Sequence, residues 1–247
     1  MNIEMIHSAA IRLQGKVRRT PLLSSPFLDE MAGRRVLVKP ECLQHTGSFK
    51  YRGGYSAISA MEEQKRKKGV LAYSSGNHAQ GVALAARQHN IPSAVIMPYD
   101  APAIKIANTK ALGAEVIGYD RVTEKREAIG EKLANERGLT LIKPYDEPEV
   151  IAGQGTTGIE IADQAKELGD KIPAKYATLK NDDSSEVDSD IFRSLNSLTL
   201  EAISTKTRPP LIICLCFGHL ISRWGLSALL AFELLSVGNA DDLLTSW

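Results

Sequence analysis

Residues 46–54 read "TGSFKYRGG", with Lys50 just inside an expected helix start and two glycines behind it. Ser48 is placed to cap that helix, which puts Lys50 in its first turn. The positive end of the helix dipole disfavours a charged amine there, and partial burial would lower its pKa further. A neutral lysine is a nucleophile suited to Schiff-base chemistry. The ordinary alternative is a solvated lysine on a basic helix that also carries Arg52, Lys65, Arg66, Lys67 and Lys68, because most lysines are exposed.

A second stretch, "YSSGNHAQG" over 73–81, ends a strand, turns at Gly76 and opens a helix near Asn77. Backbone N–H groups and the dipole converge at such a start, which suits an anion such as a substrate carboxylate. Ser74, Ser75 and Gly76 form the turn, Asn77 offers an amide donor, and His78 is expected to present an imidazole at the mouth. The plain alternative is a βα turn capped by Asn77. A third stretch, "GQGTTG" over 153–158, matches G-x-G-x-x-G. Residues 146–152 separate it from the preceding strand, whereas a dinucleotide site needs its glycines directly after the strand. It reads as a tight structural loop, and a nucleotide-dependent oxidoreductase finds little support. No metal-ligand spacing stands out, and no metal is expected. Cys214 and Cys216 lie in an apolar run and read as packing residues.

The elements that must position these residues alternate. Strands are expected at 35–40, 69–75, 93–98, 114–119 and 140–145. Helices are expected from Ser48 to about Lys67, then over 78–90, up to Ala111, over 122–137 and over 156–169. Repeats of roughly 25 residues with this alternation indicate βα units and parallel sheet. The texture changes near 170. "NDDSSEVDSD" over 181–190 is acidic and serine-rich, as linkers are. Only Gly218, Gly225 and Gly238 represent glycine beyond 169, and no βα repeat is legible there. One or two helices packed on the main body are expected of this tail.

The 247 residues suffice for a sizeable core. Apolar residues make up 43% and charged residues 24%, with a net charge of +1. That balance fits a globular chain without bulk attraction to nucleic acid or an anionic membrane. Three cysteines do not make a disulfide framework and fit a reducing cytoplasm. The amino-terminal residues lack a secretory apolar core. The run "LIICLCF" at 211–217 is too short to span a bilayer.

"KPECLQHTGSFKYRGG" (39–54), "SSGNHAQGVALAA" (74–86) and "IAGQGTTGIEI" (151–161) occur in this order. Together with "RRTPLL" (18–23) and "MPYDAPAIKIANTKALGAEV" (97–116) they resemble fold-type-II pyridoxal-phosphate (PLP) enzymes. Within these, the likeness is to the threonine/serine dehydratase and serine racemase group, over about 1–169. The resemblance implies a two-lobed α/β fold like that of the tryptophan synthase β-subunit, with parallel sheets and flanking helices. Residues 1–67 plus 147–169 would form the cofactor lobe, 68–146 the small lobe, and 170–247 a divergent tail.

It also implies roles. Lys50 would carry PLP as a Schiff base and take the substrate's α-proton. Phe49 would pack beside the ring, and Asn77 would hydrogen-bond the cofactor's 3′-oxygen. Ser74, Ser75, Gly76, Asn77 and His78 would bind the substrate carboxylate. Ser75 matches the acid/base serine of racemases, although some ammonia-lyases share it. The implied activity is conversion of L-threonine or L-serine to a 2-oxo acid and ammonia, with a serine racemase-like enzyme as alternative. A small amino acid would be the substrate and a homodimer is possible.

The family continues after the last helix with a strand and a glycine-rich loop for the PLP phosphate, and no such text follows here. Losing three charge-assisted hydrogen bonds at roughly 1.5–3 kcal/mol each would cost about 4–9 kcal/mol, or roughly 10³–10⁶ in affinity. The large-lobe sheet is accordingly expected to be incomplete, with an exposed apolar edge. A non-catalytic truncated or frame-shifted member of the family is the remaining alternative.

Overall fold

A computed structural model describes residues 2–169 and, as backbone, 211–214. Four strands form one wholly parallel sheet: β3 (Val70–Tyr73), β4 (Ser93–Pro98), β5 (Glu115–Tyr119) and β6 (Thr140–Ile142), in the order β5-β4-β3-β6. Apart from Ser93 at the start of β4, its central strands are buried throughout because both faces are covered. Val70 and Ala72 pack toward α5 (Asn77–Gln88), while Leu71 and Tyr73 pack with Ile129 and Leu133 of α7 (Arg126–Arg137). The chain leaves β3 for β4 on one side and later returns to β6 on the other. Ligands in such sheets bind beyond the carboxyl ends of the strands, where this reversal opens a crevice.

A second sheet has the order β1-β2-β7, from β1 (Leu23–Ser24), β2 (Val36–Lys39) and β7 (Leu211–Cys214). β1 runs antiparallel to β2, and β7 runs parallel to it with Val36 opposite Leu211 and Lys39 opposite Cys214. The tail therefore continues the parallel pattern at one place where the sequence pattern predicts no strand. Its other expected features, including the linker at 181–190, lie outside the described residues.

Between the sheets' helices runs α3 (Lys50–Ala60), packed on α5 and on α8 (Pro148–Glu167). Glycines allow that approach. A Cβ on Gly53 would stand 2.9 Å from the Val150 carbonyl oxygen, and one on Gly153 would stand 2.5 Å from the Arg52 carbonyl oxygen. On the opposite contact, a Cβ on Gly81 would lie 2.9 Å from the Lys50 carbonyl carbon. The two glycines after Lys50 thus serve two helix contacts.

This arrangement corrects two expectations. Residues 153–158 are not a tight loop, because α8 starts at Pro148 and runs through them. Proline suits a first helical turn, and the glycines that resemble loop text are needed for close packing. The helix expected from Ser48 to Lys67 is interrupted: Met61 is extended, with ψ 144°, and α4 (Glu63–Lys68) follows as a separate helix. α6 (Ala103–Ala111) and α1 (Ile3–Leu13) complete the elements used below, with α2 (Pro26–Ala32) beside β1 and β2.

Candidate active site

Thr46 and Gly47 take positive φ values of 60° and 72°, turning the chain sharply into α3. The Ser48 hydroxyl oxygen then accepts the Lys50 backbone N–H at 3.3 Å, so the expected cap serves the expected residue. Beneath the lysine lies a buried ion network. Arg52, 0% exposed, donates through Nε and Nη2 to both Glu41 oxygens at 2.8 Å. It also donates to the two Glu160 oxygens at 2.7 and 2.9 Å. Lys39 Nζ reaches Glu160 at 2.6 Å, and Gln164 and the Thr20 carbonyl at 2.7 Å each. Burial alone would push the Arg52 guanidinium down, but the two carboxylates hold it above its ordinary value. Burial lowers Lys39, with Glu160 opposing. Arg52 is therefore not part of a solvated basic face: its partners come from distant parts of the chain.

Lys50 itself faces the crevice. Its Nζ donates to the Pro144 carbonyl at 2.9 Å and lies 5.2 Å from the centroid of the half-buried Phe49 ring. Pro144 follows β6, and the 74–77 turn follows the neighbouring β3. The lysine thus meets the ends of two adjacent strands. Ser74 Oγ accepts the Gly76 N–H at 3.2 Å, and Ser75 is exposed at the turn. α5 begins at Asn77, so its dipole and first-turn N–H groups point back over this turn.

Asn77 Oδ1 accepts from Lys105 Nζ, on α6, at 3.3 Å. His78 departs from expectation. Its imidazole is not at the mouth but 2% exposed, with Nε2 3.0 Å from the Ile142 carbonyl. A carbonyl only accepts, so Nε2 carries the proton and the buried Nδ1 is left without a hydrogen-bond partner. Burial foremost, with the Lys50 charge adding and the Ile142 bond opposing, pushes His78 down to about 4. Its backbone lies in the first turn of α5. Its side chain supports the floor.

Three features escaped the sequence reading: Lys105, the network under Lys50, and Arg126. Arg126 lies 5.1 Å over the Tyr73 ring and donates to the Tyr145 hydroxyl at 2.9 Å. It thereby bridges the residues beside Ser74 and Pro144. Nothing local marks these residues, because each contact joins distant segments. Among the described residues, no group of three or more His, Cys, Asp and Glu is gathered as metal ligands, and no helix is long and apolar enough to cross a membrane.

The comparisons with known proteins identify the family and the fold. Residues 13–176 match the family described as pyridoxal-phosphate dependent enzyme. The chain is 54% identical over 153 residues to an L-threo-3-hydroxyaspartate ammonia-lyase of Pseudomonas sp, covering 62% of this chain and 48% of that one. It is 42% identical over 168 residues to an L-threonine ammonia-lyase of Thermotoga maritima, covering 68% and 42%. The solved structure of maize serine racemase superposes with a TM-score of 0.65 at 40% identity, covering 67% of this chain and 50% of that one. The chain spans about half the length of these relatives.

Proposed function

The chain belongs to the pyridoxal-phosphate-dependent enzyme family, and from that premise we propose that it is built as an ammonia-lyase for β-hydroxy-α-amino acids. The observation that carries this reading is Lys50 Nζ at the Pro144 carbonyl, where the ends of β3 and β6 meet the start of α5. The donor set fits the ring half of the cofactor: an amine on Lys50, an aromatic neighbour in Phe49 and a carboxamide on Asn77. When bound, PLP supplies the electron sink. Lys50 would hold it, and its amine would take the substrate's α-proton. The turn at 74–78 holds the substrate carboxylate through backbone N–H groups. Atoms balance: water leaves as the β-hydroxyl and α-proton, water re-enters on hydrolysis, and a 2-oxo acid and ammonia are released.

Likeness at 54% identity favours L-threo-3-hydroxyaspartate as first substrate to test, ahead of threonine and serine. Racemisation is the second reading, supported by the exposed Ser75 hydroxyl at the turn. A chain that keeps the fold without the activity is supported by the missing glycine-rich text after 169. The two separate sheets support the lobe division at 1–67 plus 147–169 against 68–146. Cytoplasmic location and a homodimer belong to the same proposal.

The test is attachment. The purified chain is incubated with PLP, reduced with borohydride and digested for mass spectrometry, and the three amino acids are assayed in parallel. Stoichiometric label on Lys50 with 2-oxo acid release is the expected result. Label scattered over many lysines overturns the reading.

A further inference from the structure

Asn77 opens α5 just after β3, the strand that lies between β4 and β6. On one side α6 brings Lys105, half-buried, so that its Nζ donates to Asn77 Oδ1 at 3.3 Å. On the other side β6 and α3 bring Pro144 and Lys50 together. Sheet order fixes these sides: β4, which leads into α6, and β6 flank β3 on opposite edges. A carboxamide carries its oxygen and its NH₂ group on two diverging arms of one plane, so holding the oxygen fixes the direction of the NH₂ group. With the oxygen held toward Lys105 on α6, the NH₂ group is directed away from that amine.

We propose that Lys105 is a positioning residue that turns the Asn77 carboxamide so that its NH₂ group, not its oxygen, faces the crevice. Without that bond the amide could present either end. The wrong end would set an acceptor against the electron-rich edge of a bound ring. Gly76 is part of the same device, because a Cβ there would lie 2.9 Å from Lys105 Nζ. A side chain at 76 would displace the amine from its position. Burial, which lowers the Lys105 pKa, marks the amine as held within the structure and not extended into solvent.

The proposal rests on the reading of Lys50 and Asn77 as cofactor residues, so its test has one arm without cofactor. In the full chain without PLP, the side-chain amide resonances of Asn77, assigned by loss in Asn77→Asp, are compared among parent, Lys105→Met and Lys105→Arg. Methionine keeps the stem, so the fold is expected to persist, and Gly76→Ala provides an independent route to the same displacement. Lys105→Met and Gly76→Ala should shift these resonances and speed their exchange with water, and Lys105→Arg should restore them in large part. In the PLP-loaded chain, Lys105→Met should keep the Lys50 label. The ratio of the long- to the short-wavelength cofactor band should fall by roughly tenfold, the factor of one lost charge-assisted hydrogen bond. Unmoved Asn77 resonances in both variants overturn the proposal. So does an unchanged band ratio with Lys50 fully labelled. An Asn77 response in a parent chain that never labels Lys50 supports the positioning and sinks the functional reading instead.

Discussion

Lys50 and Arg52 leave the same helix and meet opposite surroundings. Arg52 points into a dry interior and is clasped by two carboxylates, with Lys39 sharing one of them. Lys50 points to the crevice and donates to a backbone carbonyl, and Lys105 across the turn donates to an amide oxygen. Breaking a buried ion pair leaves an uncompensated charge, whereas exchanging a carbonyl partner leaves only a dipole to satisfy. One side of α3 is therefore suited to staying fixed and the other to changing partners. That division is what a reactive lysine on a rigid element requires.

The largest effect should come from the crevice side. Lys50→Ala is expected to abolish the borohydride-fixed PLP label in its peptide while changing stability by no more than about 1 kcal/mol. Peptide mapping and urea unfolding check the two halves. Equal stoichiometric label on Lys105 in that variant would break the comparison, since the crevice would then offer two equivalent amines. The opposite pattern is expected beneath. Arg52→Met leaves Glu41 and Glu160 facing each other without their shared cation, and should cost about 3–5 kcal/mol. A lower urea midpoint with an unchanged slope is the expected observation. An unchanged midpoint would mean that the network does not hold α3.

Much of the crevice side was legible in the sequence, and little of the buried side was. Local text carries the turn: a strand of the "VLAY" type, then Ser, Ser, Gly and Asn, has few ways to fold other than a βα turn with its N–H groups exposed. The place of Lys50 in the first turn of α3 was legible through Ser48, whereas local text alone favoured a solvated lysine and its role came only from the resemblance. Arg52 was misread because its carboxylates lie at 41 and 160, and no local pattern announces so distant a pairing. Residues 153–158 were misread because glycines at a helix contact and glycines in a loop look alike as text. The break at Met61 carries neither Gly nor Pro, so nothing marked it. The tail's "LIIC" was apolar enough for a strand, but it lacked the flanking alternation that identified the others.

His78 sharpens the comparison because it combines the two surroundings: it is as dry as Arg52 yet has one carbonyl partner. Its pKa falls from 6.5 unfolded to about 4 folded. Between those values the unfolded chain binds the extra proton, so stability falls as pH falls. The contribution is fully present above about 6.5 and is lost by about 4, amounting to about 3 kcal/mol at 1.36 kcal/mol per unit. Urea unfolding across that range should show this slope, and His78→Asn should flatten it. A slope unchanged in the variant would assign the acid sensitivity to other groups.

The smallest expected effect tests the packed face itself. Gly153→Ala adds one methyl where the Arg52 carbonyl oxygen and the Ser56 Cβ would each stand 2.5 Å away. Both neighbours lie on α3, and one is backbone, so the added methyl has to push the helices apart. Overpacking of this kind costs about 1–3 kcal/mol. An alanine in an ordinary helix interior would instead gain up to about 1 kcal/mol over glycine. The sign of the change therefore decides between contact and propensity. A destabilised Gly153→Ala that still labels Lys50 would show that α3 tolerates displacement on its packed side while keeping its crevice side in register. Loss of label at a stability that leaves the chain folded would show that the two sides move together, and that the separation between fixed and changeable partners depends on this one close approach.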